Sequence, residues 1–195
     1  MLKIANDRAR RYKEQIERLG KSKHKDADTE RAIENIVQRS GEKDWLFYVR
    51  KANSEKDIEK KNAIFQEGIR LTPLSPELLG NYAVFLKNEK QDNLGAEEYY
   101  QKALAVEPNN SMNLGNYAIF LQVIKNDYAA AEEYYMKALN FEPNHAVRLG
   151  NLTKLLIDKN DLNQAGLCLK RAFENFDGSS QNIVENAFLD YVIVR

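Results

Sequence analysis

Between residues 79 and 172 the apolar positions fall at helical spacing and then repeat in blocks. Leu79, Tyr82, Ala83 and Leu86 stand at i, i+3, i+4 and i+7, as do Leu114, Tyr117, Ala118 and Leu121, and then Leu149, Leu152, Thr153 and Leu156. That spacing puts each set on one helix face. A second helix follows each first one, marked by Ala96, Tyr100 and Ala103, then Ala131, Tyr135 and Ala138, then Ala165, Leu169 and Ala172. Small residues at two of the three positions let the paired helices approach closely. Polar residues mark the ends. Asp92, Asp127 and Asp161 each stand four residues before the first of those alanines, where a carboxylate accepts from free N–H groups and favours the helix dipole. Pro73, Pro108 and Pro143 stop the second helices, and Ser75 with Pro76 opens the next first helix.

The blocks keep one period. LGNYA at 79–83 returns at 114–118 and as LGNLT at 149–153, AEEYYQKAL at 96–104 returns as AEEYYMKAL at 131–139, and the three prolines are 35 residues apart. Counting back by the same 35 residues places Asp57, Phe65, Gly68 and Pro73 at the cap, aromatic, small and proline positions of a degenerate unit whose first helix, around DWLFYVRK at 44–51, has diverged. One degenerate and three clear units are predicted, at 42–74, 75–109, 110–144 and 145–176, with terminal units atypical because one face meets solvent. The last is one residue shorter between Leu149 and Ala165.

The Leu, Tyr and Ala of LGNYA, the alanines and aromatic of the AEEYY blocks, and the closing Pro108 and Pro143 together resemble the tetratricopeptide repeat, a helix-turn-helix of about 34 residues. The likeness covers about residues 42 to 176 and departs from the family in its 35-residue period and in holding Leu114 or its equivalents at the usual tryptophan position. It implies an all-α fold, a right-handed superhelical solenoid of antiparallel helix pairs, whose first helices line a concave groove for an extended peptide or partner helix. It implies a protein-interaction adaptor and no chemistry. The stripe facing that groove is expected to run from Glu77 through Asn81 and Val84 to Asn88, from Met112 through Asn116 and Ile119 to Val123, and from Val147 through Asn151 and Lys154 to Asp158.

Within that stripe the recurring asparagine is the candidate ligand-holding residue. One acceptor and two donors per amide suit a peptide backbone of any sequence. The glycines before them, Gly80, Gly115 and Gly150, each cost about 1 kcal/mol relative to Ala inside a helix. Either they let neighbouring first helices approach or they admit a guest backbone. The asparagines likewise either hold a guest or link the helices.

The flanks differ from the array. Residues 1–41 form a basic extension in which Leu2, Ala5, Ala9, Tyr12, Ile16 and Leu19 alternate spacings of three and four, and residues 1–25 carry nine Lys or Arg against three acids. A polar loop, GKSKHKDADTE, and a short helix around ERAIENIVQ follow. Such charge asymmetry points to an acidic partner, nucleic acid or a membrane surface; the plainer reading is a solvated face. With Tyr12 as its one aromatic residue, this segment has no base-stacking platform, so nucleic acid ranks last. Past DGSS at 177–180, a capping helix is expected with Ser179 or Ser180 at its N-cap and a wide stripe of Ile183, Val184, Ala187, Phe188, Tyr191 and Val192. Leu189 and Ile193 fall off that stripe and are candidates for self-association, as is the N-terminal helix. Assembly through the terminal helices is the alternative to peptide capture.

Composition excludes more than it assigns. Of 195 residues, 43% are hydrophobic and 30% charged, with a formal net charge of zero, ordinary for a globular chain. No leader and no run of about 18 apolar residues is evident, so a cytoplasmic location and no membrane partner are expected. Cys168 stands alone and suits a packing residue in a reducing compartment. His24 and His145 lie far apart, with no cysteine cluster and no glycine-rich phosphate loop. Neither cofactor, metal nor enzymatic activity is expected, and His145, after Pro143 and Asn144, suits a surface or capping role.

Overall fold

The computed structural model describes residues 45–176 and 181–194. Among them every regular element is a helix: α1 (Trp45–Ser54), α2 (Ile58–Leu71), α3 (Pro76–Phe85), α4 (Asn93–Val106), α5 (Ser111–Phe120), α6 (Tyr128–Phe141), α7 (Ala146–Asp158), α8 (Leu162–Glu174) and α9 (Gln181–Val194). The basic extension at 1–41 and the Ser179 or Ser180 cap lie outside the described residues. The chain divides into two compact units, Met1–Pro73 and Leu74–Arg195.

In the larger unit α3 packs with α4, α5 with α6 and α7 with α8. Every first-helix residue picked out by its spacing is buried, from Leu79, Tyr82, Ala83 and Leu86 to Leu149, Leu152, Thr153 and Leu156, and so are the Ala, Tyr or Leu, and Ala triplets of the second helices. Each large apolar side chain so buried contributes about 1.5–3 kcal/mol before chain entropy is counted. Aromatic pairs repeat with the period: Tyr82 meets Tyr99 edge to face at 4.6 Å, and Tyr117 meets Tyr134 at 4.9 Å.

Helix ends follow the polar punctuation. Asp92, Asp127 and Asp161 accept from the backbone N–H of Gly95, Ala130 and Gln164 at 2.9, 3.0 and 3.1 Å, each cap worth about 1 kcal/mol. Ser75 accepts from Leu78 N–H at 3.2 Å, with Pro76 as the first helical residue. The second helices end at Leu71, Val106 and Phe141, just before their prolines.

The 35-residue period has a local cause. After α3 and α5 the chain makes a π-helical turn, Leu86–Lys90 and Leu121–Lys125, then one left-handed residue, Gln91 (φ 58°) or Asn126 (φ 54°), before the aspartate cap. A π turn absorbs one extra residue without breaking the helix. α7 has no such turn: Asp161 N–H donates to Leu156 O, five residues back, where Asp92 N–H and Asp127 N–H reach six residues back to Leu86 O and Leu121 O. The residue missing between Leu149 and Ala165 is therefore the one the π turn holds elsewhere.

In the Met1–Pro73 unit, α1 packs with α2, whose N-cap Asp57 accepts from Lys60 N–H at 2.9 Å. Tyr48 stands 35 residues before Ala83, and Gly68 stands 35 before Ala103. The small pair of the clear units is here one large residue and one without a side chain: Tyr48 is fully buried, and a Cβ on Gly68 would lie 2.6 Å from its ring carbon Cγ. This exchange is why the first helix of the degenerate unit has lost its family look while keeping its fold.

Candidate peptide groove

The predicted groove residues all escape burial. Asn81 and Val84 on α3, Asn116 and Ile119 on α5, and Val147 and Asn151 on α7 are half-buried, while Asn88, Met112, Val123 and Lys154 are exposed. They occupy equivalent positions on three consecutive first helices and, for Asn88 and Val123, on the π turns that follow, away from the buried Leu and Tyr stripe. Its middle helix presents Met112, Ile119 and Val123, and its last ends on Lys154 and Asp158.

Their hydrogen bonding differs. Asn81 Nδ2 donates to Glu77 O of its own helix at 2.8 Å, leaving its Oδ1 to accept elsewhere. Among the described residues no hydrogen bond engages the side chains of Asn116 or Asn151. The asparagines do not link the first helices to one another.

The glycines do serve that contact. A Cβ on Gly80 would lie 1.9 Å from Asn113 Oδ1, one on Gly115 2.9 Å from Arg148 Nε, and one on Gly150 3.1 Å from Ile183 Cγ2. Each intruding side chain comes from the next helix along this side of the array, α5, α7 or α9, 33 residues on. All three glycines are buried, so the backbone they bare faces the protein's own next helix.

Two residues of this seam have no periodic signal. Asn113 is fully buried on α5; its Nδ2 donates to Pro76 O at 2.9 Å, which ties α5 to the start of α3. Arg148 on α7 is 7% exposed, and its Nη1 donates to Glu142 Oε2 at 2.6 Å. Burial alone would raise the Glu142 carboxyl, yet the hydrogen bond and charge of Arg148 outweigh it and hold it below its ordinary 4.5. With Ile183 at the matching position, the residues that meet the three glycines are Asn, Arg and Ile. Only an unexpected polar residue on an otherwise apolar register would have flagged them.

The remaining candidates are structural. His145 takes the N-cap position of α7 without a capping side-chain bond, and its Nε2 lies 3.8 Å from Glu142 Oε2. Cys168 is buried, and burial pushes its thiol up from the ordinary value, away from the thiolate a nucleophile needs. Among the described residues no group of three or more His, Cys, Asp or Glu is placed to hold a metal ion, and no helix is long and apolar enough to cross a membrane.

Comparison with known proteins agrees with this architecture. A family model of the tetratricopeptide repeat matches residues 112–145. No curated protein matches the chain in sequence. Among solved structures, a chain of the crystallised APC/C hetero-tetramer Cut9-Hcn1 superposes with a TM-score of 0.64 and 18% identity over 82% of this chain and 32% of that one. This chain thus spans about a third of that relative's length. A structure of Pseudomonas aeruginosa pilF gives a TM-score of 0.36 at 16% identity, over 77% of this chain and 88% of that one. The tetratricopeptide-repeat match thus covers one unit, and the described residues form packed helix pairs with the fold of such repeats.

Proposed function

We propose that this chain is a non-catalytic interaction scaffold whose asparagine-lined face holds an extended peptide of a partner protein. The observation that carries the reading is the state of Asn116 and Asn151: half-buried, repeated at 35 residues, and engaged by no bond of the fold. Asparagine inside a helix costs up to about 0.7 kcal/mol relative to Ala, and among the described residues no hydrogen bond of the fold offsets that cost. An amide can give and take one hydrogen bond with a guest's N–H and C=O, so binding by such a row tolerates sequence. Val84, Met112, Ile119, Val123 and Val147 add apolar contact, and Lys154 stands beside them, its Nζ 3.5 Å from Asp190 Oδ2.

The test is selection of binders from a random 12-residue peptide library displayed on phage, followed by the Asn81→Ala, Asn116→Ala, Asn151→Ala triple variant. The reading expects selected peptides to lose the triple variant while its thermal melting is unchanged. Unchanged capture rejects it.

A second reading, assembly of copies through the last helix, is favoured by α9 itself. Phe188, Leu189, Val192 and Ile193 are all exposed, and Phe188, Tyr191 and Val192 line a cleft of about 500 Å³ with Gly166, Leu169 and Phe173 of α8. The covering stripe expected on α9 is buried only at Val184 and Ala187. Light scattering separates the two readings: a monomer across the micromolar range removes assembly, and a dimer that Val192→Glu dissolves supports it.

A further inference from the structure

The two π turns differ at their second residue, which is Lys87 after α3 and Gln122 after α5. Gln122 shows what that place asks for. It is 9% exposed, its Oε1 accepts from the Tyr135 hydroxyl at 3.1 Å, and its Nε2 donates to Asp158 Oδ2 at 3.5 Å. A buried neutral amide thus meets a donor on one side and a carboxylate on the other. Counting back 35 residues puts Lys87 at the amide, Tyr100 at the phenol and Val123 at the carboxylate. The buried phenol is kept and the acceptor is lost.

A lysine in that place has no counter-charge. Among the described residues Lys87 makes no hydrogen bond and no ion pair. The other described lysines of the unit Leu74–Arg195 are engaged: Lys102, Lys125, Lys137, Lys154, Lys159 and Lys170 each pair with a carboxylate, and Lys90 has a contact of its own. The turn packs on α3 and α4, whose carboxylates are held by other groups. Glu77 accepts from Ser75 Oγ, Glu97 from Lys125 and Glu98 from Lys102. Lys87 is half-buried. Burial alone lowers its pKa from the ordinary 10.5, with no part played by Glu89 and Lys90 of its own turn, Tyr82 of α3, or Tyr99 and Tyr100 of α4. Desolvation penalises the ammonium and spares the amine, and a lysine kept neutral in this way is an activated nucleophile.

We propose that Lys87 is an acylation site, whose ε-amine attacks the carbonyl carbon of an acyl thioester. The N–C bond forms as the C–S bond breaks. The nitrogen gives up one proton, which the leaving thiolate takes, so the products are an amide and a free thiol. The acylated side chain is uncharged and presents an amide, the group that the next repeat holds at this place as Gln122. No hydrogen bond engages the Tyr100 hydroxyl among the described residues, and the new carbonyl oxygen offers it the acceptor that Gln122 Oε1 offers Tyr135. Acylation therefore removes a poorly solvated charge and leaves a group the site is built for. The inference is independent of the peptide reading.

The experiment incubates the full chain with S-acetyl-N-acetylcysteamine at about pH 8. Acetyl occupancy of each lysine is followed by mass spectrometry after the remaining amines are capped with deuterated acetic anhydride in denaturant. Lys87 should be acetylated at least about threefold faster than Lys102, Lys125 or Lys137. Val123→Asp restores the carboxylate that Asp158 supplies one repeat on; Val123 is 62% exposed, so the variant should melt as wild type does while the Lys87 rate falls to that of the paired lysines. Lys87→Gln should melt no lower than wild type. A Lys87 rate no greater than that of the paired lysines overturns the proposal, as does a rate that folded Val123→Asp leaves unchanged. Earlier melting of Lys87→Gln overturns the fit of an amide to the site, and the proposal with it.

Discussion

Asn113 and Asn116 stand one helical turn apart on α5 and show how the two faces of a repeat differ. Asn113 faces the preceding first helix; it is fully buried, bonded to Pro76 O and pressed onto Gly80. Asn116 faces away, half-buried, with no bond of the fold. The residue pressed onto the glycine varies along the array, as Asn113, Arg148 and Ile183, whereas the one on the open face stays asparagine at 81, 116 and 151. Copies of an ancestral unit had room to drift at the seam, since several side chains fill it. Identity of the asparagine on the open face is what the proposed peptide site accounts for.

The comparison can be broken first at the seam, where the effects are largest. Gly80→Ala should destabilise the fold by up to about 2 kcal/mol, because overpacking costs about 1–3 kcal/mol and the gain in helix propensity returns about 1, with the 1.9 Å approach placing it toward the upper end. Asn113→Ala in the same chain should recover part of that loss, read as a coupling energy in a double-mutant cycle by urea unfolding. If Gly80→Ala is neutral, the close contact is not what keeps the glycine. Gly115→Ala and Gly150→Ala meet side-chain atoms at 2.9 and 3.1 Å instead of 1.9 Å, so their losses should be smaller in that order. The last should fall within about 0.5 kcal/mol of wild type as propensity offsets the contact.

The Arg148–Glu142 pair sharpens the seam by pH. A carboxyl held below its ordinary 4.5 in the folded state lends stability that is full above that value and is lost as pH falls through the lower folded value. Glu142→Gln should cost less than about 1 kcal/mol at pH 7, Glu142 being half exposed, and the gap from wild type should close below about pH 4.5. A gap that stays constant to pH 3 would show that the charge contributes nothing. On the open face the stability effect should be smallest: Asn116→Ala should change unfolding free energy by no more than about 0.5 kcal/mol while weakening the selected peptide about three- to tenfold.

Much of this fold is legible along the chain. Residues repeated for packing, such as Tyr82, Tyr117 and Ala83, announce themselves by helical spacing, and Asp92, Asp127 and Asp161 by their place before it, because both effects act over a few residues. The π turns are visible only as an unexplained extra residue, since a π turn is set by the closure of one helix end onto the next cap. Asn113 and Arg148 lack any signal because they answer to a glycine 33 residues away, and side chains as different as Asn, Arg and Ile satisfy it.

The most direct measurement is the side-chain amide spectrum of the ¹⁵N-labelled chain during titration with a selected 12-residue peptide. The Nδ2 signals of Asn116 and Asn151 should shift in step with binding while that of Asn113 holds its place in the seam. A bound peptide that leaves Asn116 and Asn151 unmoved would contradict the account, whatever else on the surface it touched.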